Sequence, residues 1–278
     1  MFTGNDKIIA SSEVPAEVEE FMQRQWVGMS SIIYPIFALV AYFAICNVGI
    51  LYMKDRKEYA LKKFLRIYNC ALVIASAYIC IQILTNSPNT DKGFVCRKIN
   101  VSKEYNRDYR LASAIYWYHI TKYVEFIDSF LFILRKKFNQ LSVLHRFHHS
   151  SMPLLSWISL YYIPSASVVP GIFLNSFIHF LMYSYYFFSS FGPKYTKYLW
   201  WKRYLTRLQI AQFFIIVFLS VQGIMKRCFS TGGVVYAIIM STYNIVLICL
   251  FSNFYVKSYF NRNDAKPILN KESFKKIN

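Results

Sequence analysis

The sequence has little of what a water-soluble domain uses on its surface and in its turns. Only 17% of its 278 residues are charged, and it contains just 9 glycines and 8 prolines, whereas 55% of it is hydrophobic and 19% aromatic. This composition leaves no stretch for a soluble domain and indicates a polytopic helical membrane protein. Because the apolar runs also lack the period-two alternation of barrel strands, we predict an all-α fold.

Seven apolar stretches are long enough to cross the hydrocarbon core of a bilayer, which takes about 20 residues of helix. They cover residues 30–53, 64–84, 111–134, 141–162, 165–190, 206–225 and 234–256. We therefore predict one seven-helix transmembrane domain over residues 30–256. It is flanked by an N-terminal segment, 1–29, and a basic C-terminal tail, 257–278, on opposite sides of the membrane. The acidic N-terminal segment does not resemble a cleaved signal peptide.

Acidic residues are few, 14 against 32 lysines and arginines, so the net charge is +18. Most loop lysines and arginines fall on one side of the predicted topology, and the positive-inside rule makes that side and the C-terminal tail cytosolic and the N-terminus lumenal. No nucleic-acid-binding module is present. Two explanations of the charge stay open at this point: topology with anionic lipid head groups, or an anionic, phosphate-bearing substrate that approaches from the cytosol.

Three further features concern the compartment. Cys96 and Cys228 fall in two predicted lumenal loops, where an oxidising environment favours a disulfide between them, the alternative being two free thiols. Asn100 begins a glycosylation sequon in the lumenal loop. Lys275 and Lys276, near the end of the cytosolic tail, resemble a dilysine signal that returns membrane proteins to the endoplasmic reticulum.

Histidine is also scarce, yet three of the 5 histidines stand together in His145-Arg146-Phe147-His148-His149, at the start of the fourth span. On a helix these three imidazoles fall within about 100° of arc. Ionisable side chains inside a membrane indicate a functional site. Five histidines are too few for a di-iron desaturase, which uses several histidine boxes. A zinc ion on His145, His149 and His179 is sterically possible, but no His-Glu-x-x-His pattern accompanies it.

Other spans carry polar side chains at helical spacing. In the third span Lys122 and Glu125 can pair on neighbouring turns, whereas Asp128 needs a partner, for which we expect Arg146 or a histidine of the next span. The remaining stripes consist of Asn175, His179, Met182, Tyr183, Tyr185 and Tyr186 in the fifth span and Thr206, Gln209 and Gln212 in the sixth. Singly these are explained as core packing or interhelical hydrogen bonds. Together, four helices direct polar groups to a common interior.

These blocks, in this order, resemble the four signature blocks of the ELO family of fatty acid elongases. The matching motifs are Lys122-x-x-Glu125-x-x-Asp128, His145-x-x-His148-His149, Asn175-x-x-x-His179-x-x-Met182-Tyr183-x-Tyr185-Tyr186 and Thr206-x-x-Gln209-x-x-Gln212. The resemblance extends over nearly the whole chain beyond the N-terminal segment. One departure is Ser129, where the family usually has threonine after the aspartate; the hydroxyl is kept.

The resemblance implies a 3-ketoacyl-CoA synthase of the endoplasmic reticulum membrane whose seven helices enclose a tunnel for the acyl chain. It would condense a long-chain acyl-CoA with malonyl-CoA, releasing CO₂ and CoA, without a resident metal or cofactor. The implied pathway partners are a ketoacyl reductase, a dehydratase and an enoyl reductase. The sequence does not determine the acyl chain length or the oligomeric state.

The resemblance also suggests roles for individual residues. His148 would attack the thioester, as neutral imidazole does, to form an acyl-imidazole in a ping-pong reaction. Three further roles are predicted for catalytic residues. His145 and His149 would tune His148, and His179 would position malonyl-CoA together with Asn175. Glu125 and Asp128 would orient imidazoles. The predicted CoA or substrate contacts are Lys122, Arg135, Lys202, Arg203, Tyr185, Tyr186 and Gln209. Two alternatives stay open: a ternary complex in which the histidines act only as bases, and a lipid transporter or receptor without turnover.

Overall fold

The computed structural model describes residues 26–87, 105–162, 168–196, 198–229 and 231–260. Within those ranges every regular element is helical, as predicted. The α-helices are α1 (Ile33–Met53), α2 (Lys62–Asn86), α3 (Tyr105–Val124), α4 (Phe126–Leu134), α5 (Val143–Tyr162), α6 (Val169–Ser189), α7 (Pro193–Thr196), α8 (Lys202–Met225) and α9 (Thr231–Tyr259), and a 3₁₀ turn covers Phe138–Gln140. Six of the seven predicted spans each correspond to one long helix.

The third predicted span is instead divided into α3 and α4, which meet at Glu125. The backbone N–H of Asp128 donates to the carbonyl of Glu125 at 3.1 Å, a bond that spans three residues and tightens the chain relative to an α-helix. Neither proline nor glycine marks this position, so hydropathy predicted one continuous helix. The break lies within the Lys122-x-x-Glu125-x-x-Asp128 motif.

The long helices differ in how apolar they are. In the described part of the chain, four helices are long and apolar enough to cross a membrane, namely α1, α2, α8 and α9. The polar motifs of the sequence lie mostly on the other three long elements, which are α3 with α4, α5 and α6. The chain is thus a multi-pass membrane protein in which the least apolar helices carry the candidate site.

Six of the long helices form a closed ring. Around it, α2 packs against α6, α6 against α8, α8 against α9, α9 against α5, α5 against α3, and α3 against α2. Helix α1 packs against α4 and α5. A cavity of about 110 Å³ lies inside the ring and is lined by side chains of α3, α5, α6, α8 and α9. The predicted interior therefore contains a cavity, and His148 and Asn175 of the polar motifs line it.

Helix α1 attaches to this ring through a close contact and a hydrogen bond. A Cβ atom on Gly49 would lie 3.2 Å from Cγ2 of Ile133, so the two helices approach each other where α1 has no side chain. Seven residues earlier in α1, the Tyr42 hydroxyl lies 2.9 Å from the Ser129 hydroxyl on α4. Both contacts depend on the spacing of α1 and α4.

We expect Gly49→Val to separate α1 from α4, because the added methyl groups would overlap Ile133. Overpacking of this kind costs about 1–3 kcal/mol, which should lower the thermal unfolding temperature in detergent by several degrees. Gly232→Val is the matched control, since a Cβ atom there meets nothing within 4 Å. Equal shifts in the two variants would contradict close packing at Gly49.

Candidate functional site

A buried ion pair lies at the junction of α3 and α4. The Lys122 ammonium donates to Oε1 of Glu125 at 2.8 Å, and the lysine and glutamate side chains are 2% and 3% exposed. Nδ1 of His179 on α6 also lies 3.0 Å from Glu125 Oε1, although not aligned for a hydrogen bond. The predicted pairing of Lys122 with Glu125 is present. It brings together the lysine and glutamate of the third span and the histidine of the fifth.

The same lysine determines how the Asn175 amide is turned. Lys122 Nζ and the Tyr118 hydroxyl both lie 3.1 Å from Oδ1 of Asn175. Because an ammonium can only donate, the atom it contacts must be the amide oxygen, and the two bonds fill both of its lone pairs. The Asn175 NH₂ group has no hydrogen-bond partner among the described residues, and Asn175 lines the cavity. The site thus presents a fixed N–H donor to a ligand.

This geometry argues against one predicted role of Lys122. Its ammonium already has Glu125 and Asn175 as acceptors and lies over the Tyr118 ring at 4.5 Å from the centroid. Because the Lys122 side chain is 2% exposed and its ammonium is already hydrogen-bonded, it is poorly placed to contact a phosphate group at the membrane surface. The lysine instead orients groups inside the helix ring.

Asp128 has a different partner from the expected one. Its Oδ2 accepts a hydrogen bond of 2.7 Å from the Tyr183 hydroxyl on α6, so the expected partners, Arg146 or a histidine of the fourth span, are wrong. The Tyr183 ring also packs edge-on against the ring of Tyr68 on α2. Asp128 therefore connects α4 to α6, and the prediction that it orients an imidazole is not supported by any contact among the described residues.

The three histidines of α5 face the interior, but each has different neighbours. Nε2 of His145 lies 2.8 Å from the Ser129 hydroxyl, which contacts Tyr42 of α1. The His149 ring packs against that of His145, with 4.2 Å between centroids, and is buried. Nδ1 of His148 lies 3.2 Å from the Tyr243 hydroxyl on α9. Of the three, only His148 lines the cavity.

The cavity extends from this histidine toward the far ends of the helices. Its lining on α9 runs from Gly233 to Leu247, which spans roughly 21 Å of helix at 1.5 Å per residue. Its remaining walls are largely apolar, with Ile115, Met152 and Phe213 among them. An elongated apolar space with an imidazole and an amide on its wall suits a chain-like ligand that has one reactive polar group.

The remaining predicted contact residues lie nearer the ends of the helices. Gln209 Nε2 lies 3.7 Å from Sδ of Met182, a contact between α8 and α6. Tyr185 packs edge-on against Trp201, and Tyr186 is 40% exposed. Lys202 and Arg203 are exposed, and Arg135 is half-buried at the end of α4. None of these residues lines the cavity, and their predicted substrate contacts stay predictions.

Sequence reasoning missed two residues that contact the site, Tyr118 and Tyr243. Both hydroxyls bond polar groups of the motifs, Asn175 and His148 respectively. The chain has 23 tyrosines, most of them in apolar helices, so residue type alone does not single out these two. The i, i+4 spacing of Tyr118 from Lys122 is the one available signal, and it places both on one face of α3.

The predicted disulfide lies outside the helix ring. Cys228 is disulfide-bonded. Cys96, Asn100 and the two lysines near the C-terminus lie outside the described residues, so the Cys96–Cys228 pairing stays a prediction.

In the described part of the chain, no group of three or more His, Cys, Asp or Glu side chains has the arrangement of a metal site. The zinc alternative therefore has no support from these residues.

Comparison with known proteins finds one matching family model and several related chains. The family model described as "ELO: GNS1/SUR4 family" matches residues 27–267. The chain is 36% identical over 250 residues to "Very long chain fatty acid elongase 2" of Mus musculus, covering 90% of this chain and 84% of the relative. It is 37% identical over 247 residues to "Very long chain fatty acid elongase 4" of Homo sapiens, covering 88% and 74%. It is 35% identical over 242 residues to "Very long chain fatty acid elongase 5" of Mus musculus, covering 87% and 79%.

We expect Lys122→Met to destabilise the protein strongly, because it leaves the Glu125 carboxylate buried without its cation. Loss of one partner of a buried pair costs about 3–5 kcal/mol. Adding Glu125→Gln should recover most of the unfolding temperature measured in detergent, since the uncompensated charge is removed, while activity stays lost. If the double variant is as unstable as the single one, the buried charge is not the cause.

Proposed function

The chain belongs to the ELO (GNS1/SUR4) family, and on that premise we propose that it is the condensing enzyme of fatty acid elongation. A long-chain acyl-CoA and malonyl-CoA would give a 3-oxoacyl-CoA two carbons longer, CO₂ and CoA. The observation that carries this proposal is the position of His148. It is the one histidine of its box on the wall of an elongated apolar cavity, which the oriented amide of Asn175 also lines.

In the first half of the reaction, the Nε2 lone pair of neutral His148 attacks the thioester carbonyl carbon. The carbon–sulfur bond breaks, CoA leaves as a thiolate, and the acyl group stays on the imidazole. The ring keeps its proton on Nδ1, so the acyl-imidazole carries a positive charge, and the departing thiolate takes a proton from the aqueous phase to give CoA thiol. The apolar cavity holds the acyl chain and excludes water, which would otherwise hydrolyse the acyl-imidazole.

In the second half, malonyl-CoA loses CO₂, and the resulting carbanion attacks the acyl carbon. The carbon–nitrogen bond breaks, and its electron pair returns to Nε2, which restores the neutral imidazole. Negative charge develops on the thioester oxygen of the enolate during this step. The free N–H donor of Asn175 is suited to stabilise that oxygen, because its orientation does not change during the reaction. His179, buried beside Glu125, is the second group that we assign to malonyl-CoA.

The CoA moiety approaches from the side of the membrane that carries most of the basic loops. Lys202 and Arg203 are exposed at the start of α8, and Arg203 Nε donates to the Tyr255 hydroxyl at 2.8 Å. Charges of this kind attract a polyphosphate from solution. By the positive-inside rule this side is cytosolic, which places the N-terminus in the lumen. Together with the lysines at 275 and 276, this favours residence in the endoplasmic reticulum membrane.

The proposed reaction requires no resident metal or cofactor, because the imidazole supplies the nucleophile and decarboxylation supplies the carbanion. We therefore expect turnover of purified protein to persist in the presence of a chelator. The products would pass to a ketoacyl reductase, a dehydratase and an enoyl reductase to complete the two-carbon addition.

The decisive experiment is intact-protein mass spectrometry after incubation with a long-chain acyl-CoA alone. We expect wild-type protein to gain the mass of one acyl group and to lose it when malonyl-CoA is added, and His148→Ala to gain nothing. His119→Asn is the control, because His119 is buried outside the box, with Nδ1 2.8 Å from the Ser156 hydroxyl. This variant should still form the adduct.

The other outcomes distinguish the alternatives. Malonyl-dependent product without an adduct in wild-type protein would contradict the covalent step and favour a ternary complex. If neither adduct nor product forms, the proposed enzyme activity is contradicted, and a lipid transporter or receptor is favoured.

A further inference from the structure

A short chain of hydroxyl groups connects the inward face of α5 to α9 next to His148. Nδ1 of His148 lies 3.2 Å from the Tyr243 hydroxyl, and that hydroxyl lies 2.9 Å from Oγ of Ser151. The Ser151 hydroxyl in turn lies 2.7 Å from the backbone carbonyl of Phe147, one turn earlier in α5. Tyr243 is buried, and neither Tyr243 nor Ser151 belongs to the motifs recognised in the sequence.

The direction of each hydrogen bond follows from the carbonyl at the end of the chain. A carbonyl oxygen can only accept, so the single Ser151 proton is directed to Phe147. The Ser151 oxygen must then accept from Tyr243, which uses the single proton of the phenol. The Tyr243 oxygen is left as an acceptor, and its partner, Nδ1 of His148, must be the donor.

We infer that Tyr243 and Ser151 are positioning residues that hold His148 in the tautomer with its proton on Nδ1. The hydrogen bond made by one ring nitrogen of a histidine determines whether the proton lies on that nitrogen or on the second one. With Nδ1 protonated, the lone pair is on Nε2, which has no hydrogen-bond partner among the described residues, on a side chain that lines the cavity. The nucleophilic nitrogen therefore faces the space where the acyl group binds.

The same arrangement assists the reaction once it begins. Attack through Nε2 places positive charge on the ring, and the Nδ1 proton becomes a stronger donor to the Tyr243 oxygen. Neither Tyr243 nor Ser151 forms or breaks a covalent bond in this step. This inference rests on the proposed nucleophilic role of His148, and the experiment below separates the two.

The test measures the rate of acyl-adduct formation in a single turnover at saturating acyl-CoA. Tyr243→Phe removes the acceptor and leaves the tautomer unspecified. We expect the rate to fall about 10- to 100-fold, the range known for metal-bound histidines that lose such a partner. The half-saturating acyl-CoA concentration should change little, because Tyr243→Phe keeps the ring that lines the cavity and removes only a hydroxyl that bonds His148 and Ser151. Tyr116→Phe is the control, since the Tyr116 hydroxyl donates to the Val27 carbonyl, away from the cavity.

Ser151 gives a sharper test because it does not contact the His148 ring. In Ser151→Ala the Tyr243 proton loses its acceptor and can turn to Nδ1, which favours the tautomer that lacks the Nε2 lone pair. We expect a rate loss comparable to that of Tyr243→Phe. Ser151→Thr should restore the rate, because a threonine hydroxyl can bond the same carbonyl. Ser241→Ala is the control, since Ser241 makes an equivalent bond of 2.7 Å to the Ala237 carbonyl on α9.

Combining Tyr243→Phe with Ser151→Ala should slow adduct formation no more than Tyr243→Phe alone, since serine acts only through the phenol. Additive losses, a normal rate in Ser151→Ala, or no rescue by Ser151→Thr would each overturn the inference. If wild-type protein forms no adduct, the proposed nucleophile fails instead. If wild-type protein and both hydroxyl variants form it equally fast, only the positioning role fails.

Discussion

A lysine and a glutamate, three residues apart in one membrane segment, impose the main constraint on this structure. An unpaired charge at the centre of a bilayer costs about 2.5–3.5 kcal/mol on insertion scales, and a buried pair is favourable only if its remaining hydrogen-bonding capacity is also used. Lys122 donates to both Glu125 and Asn175, and the His179 ring lies beside the Glu125 carboxylate. Helices α3 and α6 must therefore be close together.

The arrangement of the helices follows from the same requirement. The polar elements, α3 with α4, α5 and α6, have their motif side chains on the inside of the ring. The strongly apolar helices α2, α8 and α9 complete that ring, and α1 covers α4 and α5. Large exposed hydrophobic side chains cover the outer faces of these four helices, Phe37 and Phe218 among them. A polar interior thus becomes compatible with an apolar outer surface.

The chemistry of the site depends on the direction of its hydrogen bonds as much as on residue type. An ammonium that only donates turns the Asn175 oxygen toward Lys122 and its N–H groups away. A backbone carbonyl that only accepts, that of Phe147, directs two hydroxyl protons away from His148. In both cases a group that can only donate or only accept a hydrogen bond determines the orientation of a neighbour that can do both. A donor and a lone pair are thereby available at the cavity before any substrate binds.

The amino-acid sequence by itself determined the class of the protein, the number of long helical segments and most of the polar residues that gather inside. Hydropathy and spacing are local properties, and a helix in lipid has no alternative way to satisfy its backbone. The family resemblance rests on the same local motifs. The pairing of Lys122 with Glu125 was also predictable, because the two residues are only three positions apart in one apolar segment.

The partners on other helices were decided only by the tertiary structure. Asp128 bonds Tyr183 instead of a histidine, the third span breaks at Glu125, and Tyr243 reaches His148 across 95 positions of the sequence. No local pattern distinguishes one buried tyrosine from another, since the choice depends on the order and rotation of helices around the ring. The order and rotation of the helices depend on packing and on hydrogen bonds for every buried polar group. All helices must meet these conditions together, so no single segment determines them.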